Sequence, residues 1–81
     1  MILTIMSLKK KPSKYGGIFY YVFFKSQNGE SYYSCIFPKM RNYQRWKKVL
    51  KEGVTLKDLK LVKGKKNLID ADSRFKTLTE K

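Results

Sequence analysis

The sequence predicts a single all-β domain with one helix, its elements in the order β-β-β-α-β-β. The chain has 81 residues, which is the length of one small domain. β-branched and aromatic residues fill several short runs that Gly, Pro and Asn separate, as is typical of strands joined by turns. One other segment places its apolar residues at helical spacing. We expect one domain over 1–81, with about 77–81 frayed.

The first predicted strand spans residues 2–8 and leads into a basic loop over 9–17. ILTIMSL is rich in strand-forming residues and has no helix cap. KKKPSKYGG holds four lysines that repel one another, a proline that cannot donate to a strand ladder and a Gly-Gly pair. Its candidate binding residues are Lys9, Lys10, Lys11, Lys14 and Tyr15.

An aromatic hairpin is predicted over residues 18–37, which hold eight of the twelve aromatic residues. Asn28-Gly29 separates two strand-forming runs and predicts a two-residue type I′ turn. That turn places Gln27 opposite Glu30, so cross-strand partners have numbers that sum to 57. Because opposed residues share a face, this register sorts the side chains of the hairpin into two sets.

The first set contains no charge and is expected to face the core: Tyr20, Val22, Phe24, Tyr33, Cys35 and Phe37. The second set mixes rings with a lysine, which makes a poor core and a good stacking platform for bases. Its candidate nucleic-acid-binding residues are Phe19, Tyr21, Phe23, Lys25, Tyr32 and Ser34, with Ile36 beside them. The alternative is that a partner subunit, or in part the protein's own helix, covers this face, because exposed aromatic patches also mark protein interfaces.

A helix is predicted over 43–52, with Asn42 as its N-cap and Gly53 ending it. Its apolar residues form one stripe that we expect to seal a small core: Tyr43, Trp46, Val49 and Leu50. A short turn over 55–59, a strand over 59–63, a basic turn over 64–67 and a final strand over 68–75 follow. Asp70 and Asp72 alternate on that last strand, and a structural role is expected for the pair rather than Mg²⁺ binding.

The net charge of +13, from 19 Lys and Arg against 6 Asp and Glu, indicates a polyanionic partner. Only Arg41, Arg45 and Arg74 are arginines, and lysine is a mobile point charge rather than a planar fork that reads base edges. Lysine dominance therefore favours tracking of a phosphate backbone without sequence readout.

Several classes of chemistry are not expected. The chain has no histidine, and Cys35 is its one cysteine, so the usual zinc sites and Cys–His catalysis are excluded. Without a possible internal disulfide, a reducing, cytoplasmic location is the simplest expectation. MILTIM is too short for a signal peptide or a membrane span. We expect no enzyme, cofactor, metal or membrane partner.

The aromatic hairpin, the helix between Asn42 and Gly53 and the closing LVKGKKNLIDADS together resemble small OB-fold single-stranded-DNA-binding proteins of phages and mobile elements. The resemblance implies a five-stranded β-barrel whose middle strands bind DNA and whose loops after strands one and four flank the site. It adds Lys63, Lys65 and Lys66 to the candidate residues and implies a role in DNA replication or recombination.

The predicted function is binding of single-stranded DNA, or alternatively RNA, with little sequence preference. One alternative is an accessory subunit that docks on a DNA polymerase, helicase or primase through the aromatic face. Another is a duplex binder of SH3-like barrel fold, as in small Lys-rich chromatin proteins. The oligomeric state is left open by the sequence.

Overall fold

The fold consists of strands and one short helix, and the computed structural model describes residues 1–14 and 16–78. The elements in that part of the chain are β1 (Leu3–Pro12), β2 (Ile18–Ser26), β3 (Ser31–Ile36), α1 (Tyr43–Val49), β4 (Thr55–Lys57) and β5 (Lys76–Thr77). The strands form one antiparallel sheet in the spatial order β3-β2-β1-β4-β5. The predicted class, mostly β with one helix, is confirmed.

β1 is longer than predicted and runs through most of the lysine segment. Lys9, Lys10 and Lys11 pair with Tyr21, Tyr20 and Phe19 of β2, so they belong to the sheet and not to a loop. Lysine stems pack along aromatic rings while the ammonium groups stay in water, which offsets their low strand propensity. Pro12 ends the strand, where its missing N–H donor costs little.

A β-bulge at Met6 changes which residues of β1 face the core. Ile5 pairs with Phe24 and Ser7 with Phe23, so Met6 has no partner and its side chain is 51% exposed. Before the bulge the odd-numbered residues Leu3 and Ile5 are buried. An extra residue reverses the alternation, so beyond the bulge the odd-numbered residues point to the opposite face.

The turn between β2 and β3 contains three residues, and the predicted two-residue type I′ turn is wrong. Ser26 N–H donates to the Glu30 carbonyl at 2.9 Å, and Gly29 N–H donates to the Ser26 carbonyl at 3.0 Å. Gly29 has φ +87°, whereas Asn28 does not have the positive φ that a type I′ turn requires. Partner numbers therefore sum to 56, as in Val22 with Ser34.

This register reverses the predicted faces of β3, while those of β2 stand as predicted. Ile36 is fully buried, and Ser34 is 1% exposed. The Ser34 hydroxyl donates to the Ile69 carbonyl at 2.9 Å, which satisfies the buried group. Tyr33 and Phe37, predicted in the core, lie on the opposite face.

The helix is shorter than predicted, and the Asn42 side chain does not cap it. Asn42 Nδ2 instead donates to the Ala71 carbonyl at 2.7 Å. The indole N–H of Trp46 donates to the same carbonyl at 2.8 Å. The Trp46 ring is fully buried between Phe24 and Phe75, with ring centroids 6.3 and 4.3 Å away. The helix therefore closes the core through Trp46, as its apolar stripe predicts.

The predicted strands over 59–63 and 68–75 are wrong in their bounds. β4 covers 55–57, where a turn was predicted, and Asp58 with φ +66° interrupts the strand after it. The two predicted strands meet only at an antiparallel bridge between Leu61 and Ile69. Leu68 in turn forms a parallel bridge with Tyr33, so this segment lies along the free edge of β3.

The end of the described chain is paired with β4. Lys76 and Thr77 form β5, and Leu78 N–H donates to the Thr55 carbonyl at 2.8 Å. Residues 77 and 78, which the sequence predicts to be frayed, are thus held by hydrogen bonds. The rest of that predicted end, 79–81, lies outside the described residues.

Candidate nucleic-acid interface

Five aromatic side chains lie together on the face of β2 and β3 that points away from the core. Opposed pairs share a face, and Phe23 with Tyr33 and Tyr21 with Cys35 are such pairs. Alternation along the two strands brings further rings to this face. We call this set the ring row: Phe19, Tyr21, Phe23, Tyr33 and Phe37.

The rings of the row contact one another in two groups. Phe19 and Phe37 are stacked, with centroids 5.0 Å apart and planes 24° from parallel. Tyr21 contacts Phe23 at 4.9 Å and the edge of Tyr33 at 6.1 Å. Each aromatic pair of this kind contributes about 0.5–1.5 kcal/mol of stabilisation in addition to that from burial of apolar area, so the rings hold one another in place. The row is therefore a pre-positioned aromatic surface.

The ring row packs on itself and not on the hydrophobic core. The partly buried apolar residues that pack against the core include Tyr20 and Tyr32 but none of the five rings of the row. Four of the rings are half-buried, and Phe37 is 39% exposed. The row thus presents an aromatic surface to solvent, which is what stacking of a base requires.

Two lysines of β1 flank the ring row because of the bulge at Met6. Lys9 and Lys11 pair with Tyr21 and Phe19, so they lie on the same face as the row. The Lys11 ammonium is 5.9 Å from the centroid of the Tyr21 ring, within cation–π range. These cations can contact the phosphates of a strand whose bases stack on the adjacent rings.

Lys10, also a predicted binding residue, lies on the other face. It pairs with Tyr20, and its ammonium is 6.0 Å from the centroid of that ring. Tyr20 in turn contacts Tyr43 of the helix at 6.3 Å between centroids. The structure therefore separates Lys10 from the ring row.

The two remaining basic segments adjoin opposite ends of the ring row. Lys14 lies between β1 and β2, and Gly17 at the end of the same connection approaches Pro38 next to the Phe19–Phe37 pair. Tyr15, predicted in this loop, lies outside the described residues. At the other end, Asn67 accepts from Tyr33 N–H at 2.9 Å, and its amide donates to the Ser31 carbonyl at 2.7 Å. The turn before Asn67 carries three exposed lysines: Lys63, Lys65 and Lys66.

Lys25 completes the basic rim at the turn end of the hairpin. It is exposed and pairs with Ser31, the residue that Asn67 contacts. On the other side it pairs with Thr4 of β1, whose hydroxyl contacts that of Thr55 at 2.9 Å. Alternation along β2 places Lys25 on the same face as Tyr21 and Phe23.

Tyr32 and Ser34 are not part of the ring row, which corrects two predicted site residues. Tyr32 pairs with Phe24 and packs at the margin of the core, and Ser34 is buried. The Tyr32 hydroxyl donates to the Glu30 carboxylate at 3.0 Å, and this hydrogen bond raises the pKa of the tyrosine above its usual value. The three-residue turn moves both side chains to the core face.

The sequence prediction missed Tyr33, Cys35 and Phe37 as outer-face residues. The same sequence is also compatible with a three-residue turn that ends in a glycine of positive φ, here Gly29. A three-residue turn in place of a two-residue turn shifts the register by one, so each side chain of β3 lies on the opposite face. Cys35 is half-buried opposite Tyr21, and burial raises the pKa of its thiol above the usual value. The thiol is therefore a poor nucleophile at neutral pH.

Asp70 and Asp72 lie in a turn rather than on a strand. Asp70 Oδ1 accepts from Asp72 N–H at 3.0 Å, and Ser73 Oγ donates to the Asp70 carbonyl at 2.6 Å. The carboxylate of Asp70 thus orders the local backbone. Across 1–14 and 16–78, no three His, Cys, Asp or Glu side chains lie close enough together to hold a metal ion.

Within the part of the chain that the structure describes, no helix has the length and apolar character needed to cross a membrane. Comparison with models of protein families, with curated proteins and with solved structures finds no match to this chain.

Proposed function

We propose that the protein binds single-stranded DNA, with little sequence preference, on the ring row and its lysine rim. The observation that carries the proposal is one self-packed aromatic surface with cations beside it and at both ends. Every base has a π-face, so stacking on Tyr21, Phe23 and Tyr33 tolerates any sequence. Lysines add phosphate contacts that carry no base information.

An OB-type barrel is the proposed architecture behind this surface. β1 pairs with β4 on one side and with β2 on the other, and the parallel bridge from Tyr33 to Leu68 covers the free edge of β3. The bridge from Leu61 to Ile69 then links this segment back to the chain that follows β4. These pairings support a partly open five-stranded barrel in which the middle strands carry the binding face.

Titration with dT oligomers and with a hairpin duplex of equal length tests the proposal. We expect tighter binding of dT, because bases in a duplex are already stacked on each other. With the lysine rim engaging about four to six phosphates, log K should fall with log salt at a slope of roughly −3 to −4. Measuring the affinities for DNA and RNA oligomers of the same sequence shows which polymer is preferred, because the 2′-hydroxyl is the group that lets a protein distinguish them.

Two outcomes contradict the proposal in different ways. A preference for the duplex argues for a chromatin-type duplex binder. A salt slope near zero, with no saturable binding of dT, leaves the ring row as a protein-docking surface for a replication enzyme. A role in replication or recombination of a mobile element is part of the proposal and is tested by co-purification with the products of neighbouring genes.

A further inference from the structure

An apolar cavity of about 400 Å³ continues the ring row beyond the Phe19–Phe37 pair. Its volume lies in the range of about 300–1,000 Å³ that is typical of small-ligand sites. Phe37 belongs both to the cavity wall and to the row, so a ring placed in the cavity would lie next to the last stacked pair. The lining residues are Ser13, Gly16, Phe37, Pro38, Lys39 and Met40.

Two segments of the chain build this cavity. A turn after β3 brings the Met40 sulfur within 3.2 Å of Phe37 N–H, and Met40 N–H donates to the Phe37 carbonyl at 3.1 Å. The loop after β1 forms the opposite wall, where a Cβ on Gly17 would lie 3.3 Å from Pro38 Cγ. Gly17 also has φ +77°, so glycine suits both the backbone and the close approach.

The walls suit a flat aromatic group. Phe37 supplies a ring, Pro38 an apolar surface and Met40 a polarisable thioether, which packs well against aromatic edges. Lys39 lines the same cavity, and Lys11 is paired with Phe19 nearby. An apolar protein side chain would fit these walls as well, but the lysines and the net charge of +13 favour a ligand with a phosphate on every unit.

We propose that this cavity binds one nucleobase at an end of the single strand held on the ring row. The inference rests on the proposed function and adds an end-specific pocket to it. The two ends of the ring row differ: the cavity lies beside the Phe19–Phe37 pair, and the lysine turn adjoins the other end. One end of the bound strand therefore always lies at the cavity.

Abasic substitution at the strand ends tests the pocket. The shortest dT oligomer with full affinity is compared with versions that lack the base at the 5′ end or at the 3′ end, since a longer oligomer could slide. We expect loss of the base at one end to weaken binding by about 5- to 140-fold, which corresponds to ~1–3 kcal/mol at 1.4 kcal/mol per tenfold. Loss at the other end should have a smaller effect.

Two matched variants locate the effect. Phe37→Leu keeps an apolar wall but removes the ring. This variant should therefore bind the intact oligomer and the oligomer abasic at the sensitive end with nearly equal affinity. Phe23→Leu removes a ring of the row outside the cavity, so it should weaken all oligomers and preserve the difference between the ends. Thermal unfolding of both variants checks that they are folded.

The methionine methyl groups give an independent readout by carbon-13 NMR. Met40 lines the cavity, whereas Met1, whose carbonyl accepts from Leu59 N–H, lies away from the ring row beside Asp58 and serves as the internal control. The intact oligomer should shift the Met40 methyl, and the oligomer abasic at the sensitive end should not. Tight binding with no Met40 shift and equal affinity for all ends overturns the pocket and leaves the proposed function intact. No binding of any oligomer overturns both.

Discussion

Tyr32 and Tyr33 are neighbours in the chain that lie on opposite faces of β3, so truncating each to alanine tests the site directly. Tyr33 belongs to the ring row and contacts the edge of Tyr21 at 6.1 Å. Tyr32 pairs with Phe24 and packs at the core margin. The two substitutions remove the same chemical group from opposite faces of the strand.

Tyr33→Ala should weaken binding of dT oligomers by about 5- to 140-fold, the equivalent of ~1–3 kcal/mol for one stacked base. Its effect on folding should be small, at roughly 0.5–1.5 kcal/mol for the lost contact with Tyr21. The backbone bonds from Tyr33 to Asn67 and Ile69 do not involve the side chain and persist. Tyr32→Ala should leave affinity within about twofold, since the ring does not reach the row.

Fluorescence titration with a dT oligomer measures the affinities, and urea unfolding of each variant measures the stabilities. If Tyr32→Ala abolishes binding and Tyr33→Ala does not, the hairpin has the two-residue turn and our face assignment for β3 is inverted. If both variants bind like the parent protein, stacking on β3 is refuted, and the proposed site is reduced to the rings of β2 and Phe37.

Three further predictions concern packing, charge and the thiol. Phe24→Ala should cost about 3–5 kcal/mol of folding stability in urea unfolding, because the ring is 1% exposed and contacts the core; a loss below ~1 kcal/mol would contradict its burial. Replacing Lys65 and Lys66 together by Gln should reduce the salt slope of dT binding by up to about 1.4 units and weaken dT and dA alike; an unchanged slope removes this turn from the site. Cys35 should be alkylated more slowly in the native protein than in urea at pH 8, and more slowly still with bound dT, because its raised pKa keeps it protonated and the oligomer covers it. Acceleration of alkylation by dT would contradict the placement of Cys35 on the proposed binding face. The raised pKa also means that the native state favours the protonated thiol. Cys35 therefore contributes to the free energy of unfolding at neutral pH, and this contribution is lost as pH rises through the pKa of the folded state.

Local pattern was sufficient for the class of the fold and for the strand at its centre. In β2 only one face carries a charge, Lys25, so the alternation itself indicates that Val22 and Phe24 belong to the core. The helix could also be predicted, because Trp46 and its apolar neighbours recur at helical spacing. The excess of lysine, together with rings on the face of Lys25, was enough to predict a basic, aromatic surface on β2.

The second half of the chain was less predictable from local pattern. Residues 59–63 and 68–75 have strand composition, yet only single bridges form there, since Asp58 and the turn held by Asp70 interrupt the ladders. β4 and β5 are three and two residues long, too short for any periodicity to identify them. Their existence depends on pairing with β1 and with each other, which only the folded chain supplies.

Four features follow from the sequence alone: the class of the fold, the helix, the core face of β2 and the basic, aromatic character of the surface. Strand pairing in the folded chain sets which face of β3 carries the rings and brings Lys9 and Lys11 to that face. Each alternating set of side chains on β3 contains one serine, one tyrosine and one apolar residue, so the pattern cannot specify a face. The choice follows from burial of Ile36 and the hydrogen bond from Ser34 to Ile69. Side chains of a strand alternate between faces with a period of two, so the one extra residue at the β1 bulge places Lys9 and Lys11 on the face opposite to Leu3 and Ile5.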